Sequence, residues 1–337
     1  MNNKHLALRI APLCAAMVLS ACSFVPTYER PAAPVAGSFP VNTSSAIGAT
    51  SSATATAAAD IAWQDFFKDA RLKKLIALSL HNNRDLRIAV LAIEQTRAQY
   101  NLRRADQLPT LNAGITGSRG LAASGTVNST YTAGLSVTAY ELDFFGRVRA
   151  LSQAAQAQVL GSEEARKTVQ ISLIATVANT YVSMLANDEL LRVTRESLAT
   201  RQESLRLTQL KFDNEAASKL ELSQAQSLLE GAKAAFAQTI RLRAQDENAL
   251  TLLVGQPLPA DLPAGLSITA QGMLPDLPAG VPSELLTRRP DIRQAEQQLL
   301  ANNANIGAAR AAFFPRITLT GSAGVVSNDL DTLFSNG

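Results

Sequence analysis

Asp85-Leu86-Arg87, followed by Arg104-Ala105-Asp106-Gln107-Leu108-Pro109-Thr110-Leu111, returns later in the chain. The second appearance is Asp291-Ile292-Arg293 followed by Arg310-Ala311-Ala312-Phe313-Phe314-Pro315-Arg316-Ile317. The Asp pair (85, 291), the Arg pair (104, 310) and the Pro pair (109, 315) share one offset of 206 residues without a gap. Each copy reads as a helix stopped by proline and then a run of alternating apolar residues. Self-similarity at a fixed spacing means two copies of one large unit. On this offset Gly337 corresponds to Tyr131, so the second copy is incomplete, and completing it would take the chain to roughly 480 residues.

Beyond Pro109 the hydrophobic period changes to two. Leu111, Ala113 and Ile115 alternate with Asn112, Gly114 and Thr116. A Gly/Ser/Asn-rich turn is expected over 117–130. Tyr131, Ala133, Leu135, Val137 and Ala139 then alternate with Thr132, Gly134, Ser136, Thr138 and Tyr140. Ten alternating positions match the length of a tilted transmembrane β-strand. A soluble hairpin with one wet face has the same pattern; the small polar alternate face and the N-terminal signal described below favour the membrane. Strands are expected over 110–118, 131–142 and, after Pro315, 316–326.

The rest of the chain reads as helix. Trp63 to about Ala105 carries Leu72, Leu75, Ile76 and Leu80 at helical spacing. Arg147–Phe212 holds no proline and a single glycine, Gly161. That is a helix of roughly 100 Å, too long for a compact domain and so a coiled-coil arm. Leu191, Leu198, Leu205 and Phe212 recur every seven residues as its seam. Lys211–Lys219 breaks the pattern, and a return arm runs to Val254 before Gly255-Gln256-Pro257 stops it. The return arm and the helix of the second copy together match the long arm in length, which points to one elongated structure.

The N-terminus has Lys4 and Arg9, a short apolar run over Ile10–Ser20, and then Leu19-Ser20-Ala21-Cys22. This is the layout of a bacterial lipoprotein signal, with Cys22 as the lipidated residue and Ser23 fitting outer-membrane sorting. Loss of Lys4 and Arg9 takes the formal charge from +3 to about +1. Cys14 leaves as well, so no thiol remains for a disulfide. The chain is expected to divide into a signal peptide (1–21), a lipid-anchored extended linker (22–60), the helix of repeat 1 (61–108) and a transmembrane β-hairpin (109–143). After these come a long periplasmic helical hairpin (144–254, tip near 211–219), a Pro-rich segment (255–282), the helix of repeat 2 (283–313) and the start of a second β-hairpin (314–337).

Enzyme chemistry finds no footing. After cleavage His81 is the remaining histidine, so neither a catalytic triad nor a transition-metal site can be assembled. No phosphate-cradling or dinucleotide motif is present, so no cofactor is expected. Basic residues are interleaved with Asp and Glu on helices and aromatics make up 5% of the chain, which argues against nucleic acid.

Four stretches carry a family resemblance. They are Cys22-Ser23-Phe24-Val25-Pro26-Thr27-Tyr28-Glu29-Arg30-Pro31; Tyr140-Glu141-Leu142-Asp143-Phe144-Phe145-Gly146-Arg147-Val148-Arg149; Lys211-Phe212 through Ser218-Lys219-Leu220-Glu221; and Arg288-Arg289-Pro290-Asp291-Ile292 through Phe314-Pro315. Together they resemble the lipoprotein branch of the TolC-type outer-membrane efflux channels. The resemblance implies a mainly α fold of long coiled-coil hairpins forming a periplasmic α-barrel. It also implies transmembrane strands contributed to a shared trimeric β-barrel. The implied partners are two sister chains, outer-membrane lipid, a periplasmic adaptor and an inner-membrane pump, with passive conduction as the mechanism and a Gram-negative outer membrane as the location.

It further implies structural roles for Glu141, Leu142, Asp143, Phe145, Gly146, Arg147, Pro109 and Pro315. Lys211, Asp213, Asn214, Glu215, Ser218 and Glu221 become adaptor-contact candidates at the tip. The tip departs from the family pattern: Glu215 stands near the usual glycine, and Asn214 is the expected left-handed residue. Glu221 reads equally as an ordinary first-turn carboxylate. A periplasmic adaptor or other non-conducting coiled-coil lipoprotein is the alternative, but it would not repeat helix, proline and strand at a fixed offset.

Overall fold

Proline and the apolar period set the order of elements. The computed structural model describes residues 23–31, 61–121, 125–271 and 287–335. Helices α1 (Trp63–Phe66), α2 (Ala70–Asn82) and α3 (Arg84–Ala105) lead to strands β1 (Leu111–Leu121) and β2 (Val127–Glu141). Helices α4 (Arg147–Asp213) and α5 (Lys219–Val254), a short 3-10 turn at Ile268–Ala270, helix α6 (Pro290–Ala311) and strand β3 (Thr318–Ser327) follow. The fold is mainly helical with a small antiparallel sheet. The signal peptide, Cys22, most of the 22–60 linker and the second half of the Pro-rich segment lie outside the described residues.

The chain forms two compact units: one of Met1–Ala32, Leu91–Glu164 and Pro290–Gly337, the other of Ala33–Val90 and Ala165–Arg289. In the first, the sheet order is β1-β2-β3. Ala113 pairs with Leu135 and Leu135 with Ala323; Ile115 pairs with Ala133 and Ala133 with Val325. Because side chains alternate, these residues share one apolar face. Asn112, Ser136 and Ser322, with Gly114, Gly134 and Gly324, are aligned on the other.

The turn expected over 117–130 is much shorter than that. Pairing continues from Gly117 and Tyr131 through Ser118–Thr130, Arg119–Ser129 and Gly120–Asn128 to Leu121–Val127. Weak β propensity in Gly, Ser and Asn suggested a loop, but cross-strand pairing overrides propensity.

The helices of this unit meet through small residues. Ala154 and Ala157 of α4 pack with Ala301 and Ala304 of α6. Ser23–Pro31 runs antiparallel along α6. Phe24 stacks on Phe314 at 5.1 Å, the Asn303 Nδ2 donates to the Pro26 carbonyl at 2.7 Å, and Arg30 forms a two-pronged ion pair with Glu296. A Cβ on Gly307 would fall 2.8 Å from the Val25 Cα, so glycine there lets the segment lie against the helix.

In the second unit the core is larger and more conventional. Leu72, Leu75 and Ile76 of α2 are buried with Leu173, Val177 and Tyr181 of α4 and Leu250 and Val254 of α5. Each such side chain contributes about 1.5–3 kcal/mol. Asn83 serves two helices: its N–H donates to the Ser79 carbonyl at the end of α2, and its Oδ1 accepts from Leu86 N at the start of α3. Its Nδ2 also reaches the Leu253 carbonyl. The seam residues Leu191, Leu198, Leu205 and Phe212 are half-buried among exposed neighbours.

Candidate functional site

The first candidate site is the corner where β2 becomes α4. Gly146 sits at φ +71°, a left-handed backbone that a side chain would strain. Asp143 then caps the helix, its two oxygens accepting from Val148 N at 3.1 Å and Arg149 N at 2.8 Å. The Arg147 guanidinium donates to both oxygens of Glu141, at 2.8 and 2.5 Å. Leu142 N donates to the Ile317 carbonyl, tying the corner to the start of β3. Phe145 stacks on Phe314 at 4.6 Å, and Phe24 covers the other side of that ring. Pro109 and Pro315 stand between helix and strand at the two repeat-related junctions, both exposed. The structure thus brings together every corner residue singled out from the sequence except Pro109; the nearest tie to that junction is Tyr140 OH, which donates to the carbonyl of Gln107, two residues before the proline. Phe24 was not anticipated as a member.

The second candidate site is the turn between α4 and α5. Ala216 N donates to the Lys211 carbonyl at 2.7 Å and Glu215 N to the Phe212 carbonyl at 3.0 Å. These are the two bonds of a Schellman ending, which places the left-handed residue at Glu215, with φ +59°. The expectation that Asn214 takes that conformation is therefore corrected. Asn214 closes the helix instead, with Nδ2 donating to the Leu210 carbonyl at 2.7 Å. Helix α5 opens with a reciprocal cap: Ser218 Oγ accepts from Glu221 N, and Glu221 Oε2 accepts from Ser218 N. These bonds hold the Glu221 pKa below its ordinary value.

All six tip candidates are exposed. Four of them are engaged in their own turn: Asp213 with Gln209, Asn214 with Leu210, and Ser218 with Glu221. Lys211 and Glu215 are the two whose side chains hold no hydrogen bond among the described residues.

Sequence reasoning missed Asp69. It is fully buried, and its Oδ2 accepts from Tyr181 OH at 2.9 Å, Leu266 N at 3.0 Å and Gln271 Nε2 at 2.8 Å, while Oδ1 caps α2 through Arg71 N. Burial is the largest influence and opposes ionisation, but the bonds from Gln271, Leu266, Tyr181 and Arg71 together outweigh it and lower the pKa. Burial first, and Asp69 second, push the Tyr181 pKa up. Asp before an amphipathic run is a legible cap, but its distant partners are not. His81 is exposed and bonded to Asn82. Among the described residues no cluster of His, Cys, Asp or Glu could hold a metal.

Residues 75–256 and 281–337 match the outer membrane efflux protein family. The toluene efflux pump outer membrane protein TtgC of Pseudomonas putida is 47% identical over 329 residues, covering 96% of this chain and 67% of the relative. The antibiotic efflux pump outer membrane protein ArpC of Pseudomonas putida has the same identity and coverage. Among solved structures, the open state of the Neisseria gonorrhoeae MtrE outer membrane channel aligns with a TM-score of 0.79 at 42% identity, over 94% of this chain and 69% of that one.

Proposed function

The chain belongs to the outer membrane efflux protein family, and on that footing we propose that it acts as a lipid-anchored homotrimeric conduit. It is an outer-membrane channel component of an efflux pump in a Gram-negative bacterium, a transport protein and not an enzyme. Three chains close one barrel around a common lumen. A periplasmic adaptor docks at the 211–221 turn and links the channel to an inner-membrane pump, which supplies the energy. Cys22 carries the lipid, and 22–60 leads from it as the linker. The segments 61–108, 109–143, 144–254, 255–282, 283–313 and 314–337 serve as repeat helix, hairpin, periplasmic arm, Pro-rich segment, repeat helix and second hairpin.

The observation that carries the barrel is the register of the sheet. One face is apolar where Leu111, Ala113 and Ile115 align with Ala133, Leu135 and Val137 and with Ala323 and Val325, with Arg119, Ser129 and Ser327 on that side farther along the hairpin; the other face is small and uncharged at Asn112, Thr116, Thr132, Ser136 and Ser322. Among the described residues β1 and β3 each have one edge without a strand. In hydrocarbon an unsatisfied backbone group costs several kcal/mol, so the sheet needs further strands to close it. An uncharged wall suits apolar and amphiphilic organic cargo such as solvents and antibiotics.

Planar-bilayer conductance of the protein purified from outer membranes, beside the mass of its detergent-stable oligomer, tests the conduit. A conducting trimer is expected of a chain carrying both repeats in full, whereas residues 1–337 expressed alone are expected not to form one; a non-conducting monomer from the two-repeat chain would refute the conduit. Mass spectrometry of the N-terminal peptide should show an acylated Cys22. Photocrosslinkers at Lys211 or Glu215 should capture the adaptor; capture solely from the Pro-rich segment would move the docking site away from the tip.

A further inference from the structure

We infer that the helix-to-strand corner of the first unit is a seat for anionic phospholipid of the inner leaflet, built from an outward Phe313 and a set of unpaired arginines. Phe313 is 92% exposed, although it is a large apolar residue at the end of α6. Its neighbour Phe314 turns the other way, into the stack between Phe24 and Phe145. Phe313 is thus held out by a rigid base. Ile317 and Leu319 at the start of β3, and Leu108 and Leu111 at the start of β1, are likewise exposed apolar residues at the helix-to-strand junctions. Leu111 and Leu319 fall on the same side of their strands as Ala113 and Ala323, the side a barrel turns to lipid. An aromatic side chain at that boundary belongs at headgroup level.

Charge is an independent observation. The three junction stretches 103–110, 141–149 and 310–317 carry six arginines against three carboxylates. Asp106 pairs with Arg103, Glu141 pairs with Arg147, and Asp143 is committed to capping α4. Arg104, Arg149, Arg310 and Arg316 hold no ion pair among the described residues and all four are exposed, although Arg316 is near enough to Glu141 to interact with its charge. Arg104 and Arg310 are repeat-related, so both copies place a cation at the same step before the strand. Arg149 lies in the first turn of α4, where the helix dipole disfavours a cation. Surplus cations beside an exposed aromatic patch fit a phosphate headgroup with acyl chains below it. The neutral lumen-side residues offer no such match.

The proposal rests on the barrel reading but not on acylation of Cys22. Two measurements on the full chain test it. In the first, tryptophan replaces Phe313 or, separately, Leu319, each in a Trp63→Phe background, in nanodiscs of brominated phosphatidylglycerol. Both tryptophans should be quenched, Trp at 313 more strongly by bromines near the headgroup. Quenching at 319 without quenching at 313 overturns the seat and leaves the barrel standing. Quenching at neither overturns both.

In the second, native mass spectrometry follows retained phosphatidylglycerol against phosphatidylethanolamine. Wild type should retain the anionic lipid preferentially. Each of Arg104→Gln, Arg310→Gln and Arg316→Gln should lower that preference about fivefold. Equal retention by the triple variant and wild type overturns the seat. A Cys22→Ser version run in parallel should behave as wild type, which keeps the covalent anchor separate.

Discussion

Gly146 and Glu215 flank the same helix, and the backbone is left-handed at both, with φ of +71° and +59°. At the corner the residue has no side chain, and its neighbours are all committed: Glu141 to Arg147, Asp143 to the helix N–H groups, Phe145 to Phe314. At the tip the same conformation is held by a glutamate with an exposed, unengaged side chain. A non-glycine residue there costs roughly 1–2 kcal/mol. The corner is built for rigidity; the tip accepts strain and in return presents a charge. Strain that the surroundings sustain is a pointer to function, and it supports Glu215 as the first tip residue to test.

The largest effect is expected from Gly146→Val. A β-branched residue at positive φ should destabilise by about 2–3 kcal/mol, read as a lower urea midpoint in detergent. An unchanged midpoint would mean the corner tolerates strain as the tip does, and the comparison would collapse. Asp143→Ala comes next, at about 1 kcal/mol for the lost cap. Glu215→Gly should move stability the other way, by about 1 kcal/mol upward, and weaken adaptor capture. If it gains stability and keeps capture, the strain at Glu215 has no docking role.

The smallest effect concerns pH. Because the Glu221 pKa is lowered in the folded tip, its contribution is present above the unfolded value and lost as pH falls through the lowered one. Amide exchange at 218–222, corrected for intrinsic rates, should accelerate over that acidic window, and Ser218→Ala should abolish the dependence.

The architecture was legible where the chain repeats itself. Pro109 and Pro315 mark the same helix-to-strand step, and the alternation from Leu111 and from Tyr131 sets which residues share a face. The seven-residue spacing of Leu191, Leu198, Leu205 and Phe212 marks a half-buried seam. Less was legible where bonding spans the chain or depends on backbone angles. Asp69 reads as a cap, but Tyr181, Leu266 and Gln271 lie 112, 197 and 202 residues away. The extension of β1 to Leu121 depends on its partner strand, not on its own composition. The choice of Glu215 over Asn214 follows from where α4 runs out of carbonyl partners, which local propensity does not record.

The Ser23–Pro31 segment has a consequence for how the molecule is made. Its partners Glu296 and Asn303 are 266 and 277 residues distant. Synthesis delivers the segment well over two hundred residues ahead of its resting place on α6, so it must wait for that helix before it can pack. Closing so long a loop is entropically slow, and non-local pairings of this kind delay folding. Until then Phe24 lacks the ring of Phe314 and Val25 lacks the groove left by Gly307, so the apolar start of the mature segment is covered only when α6 is in place.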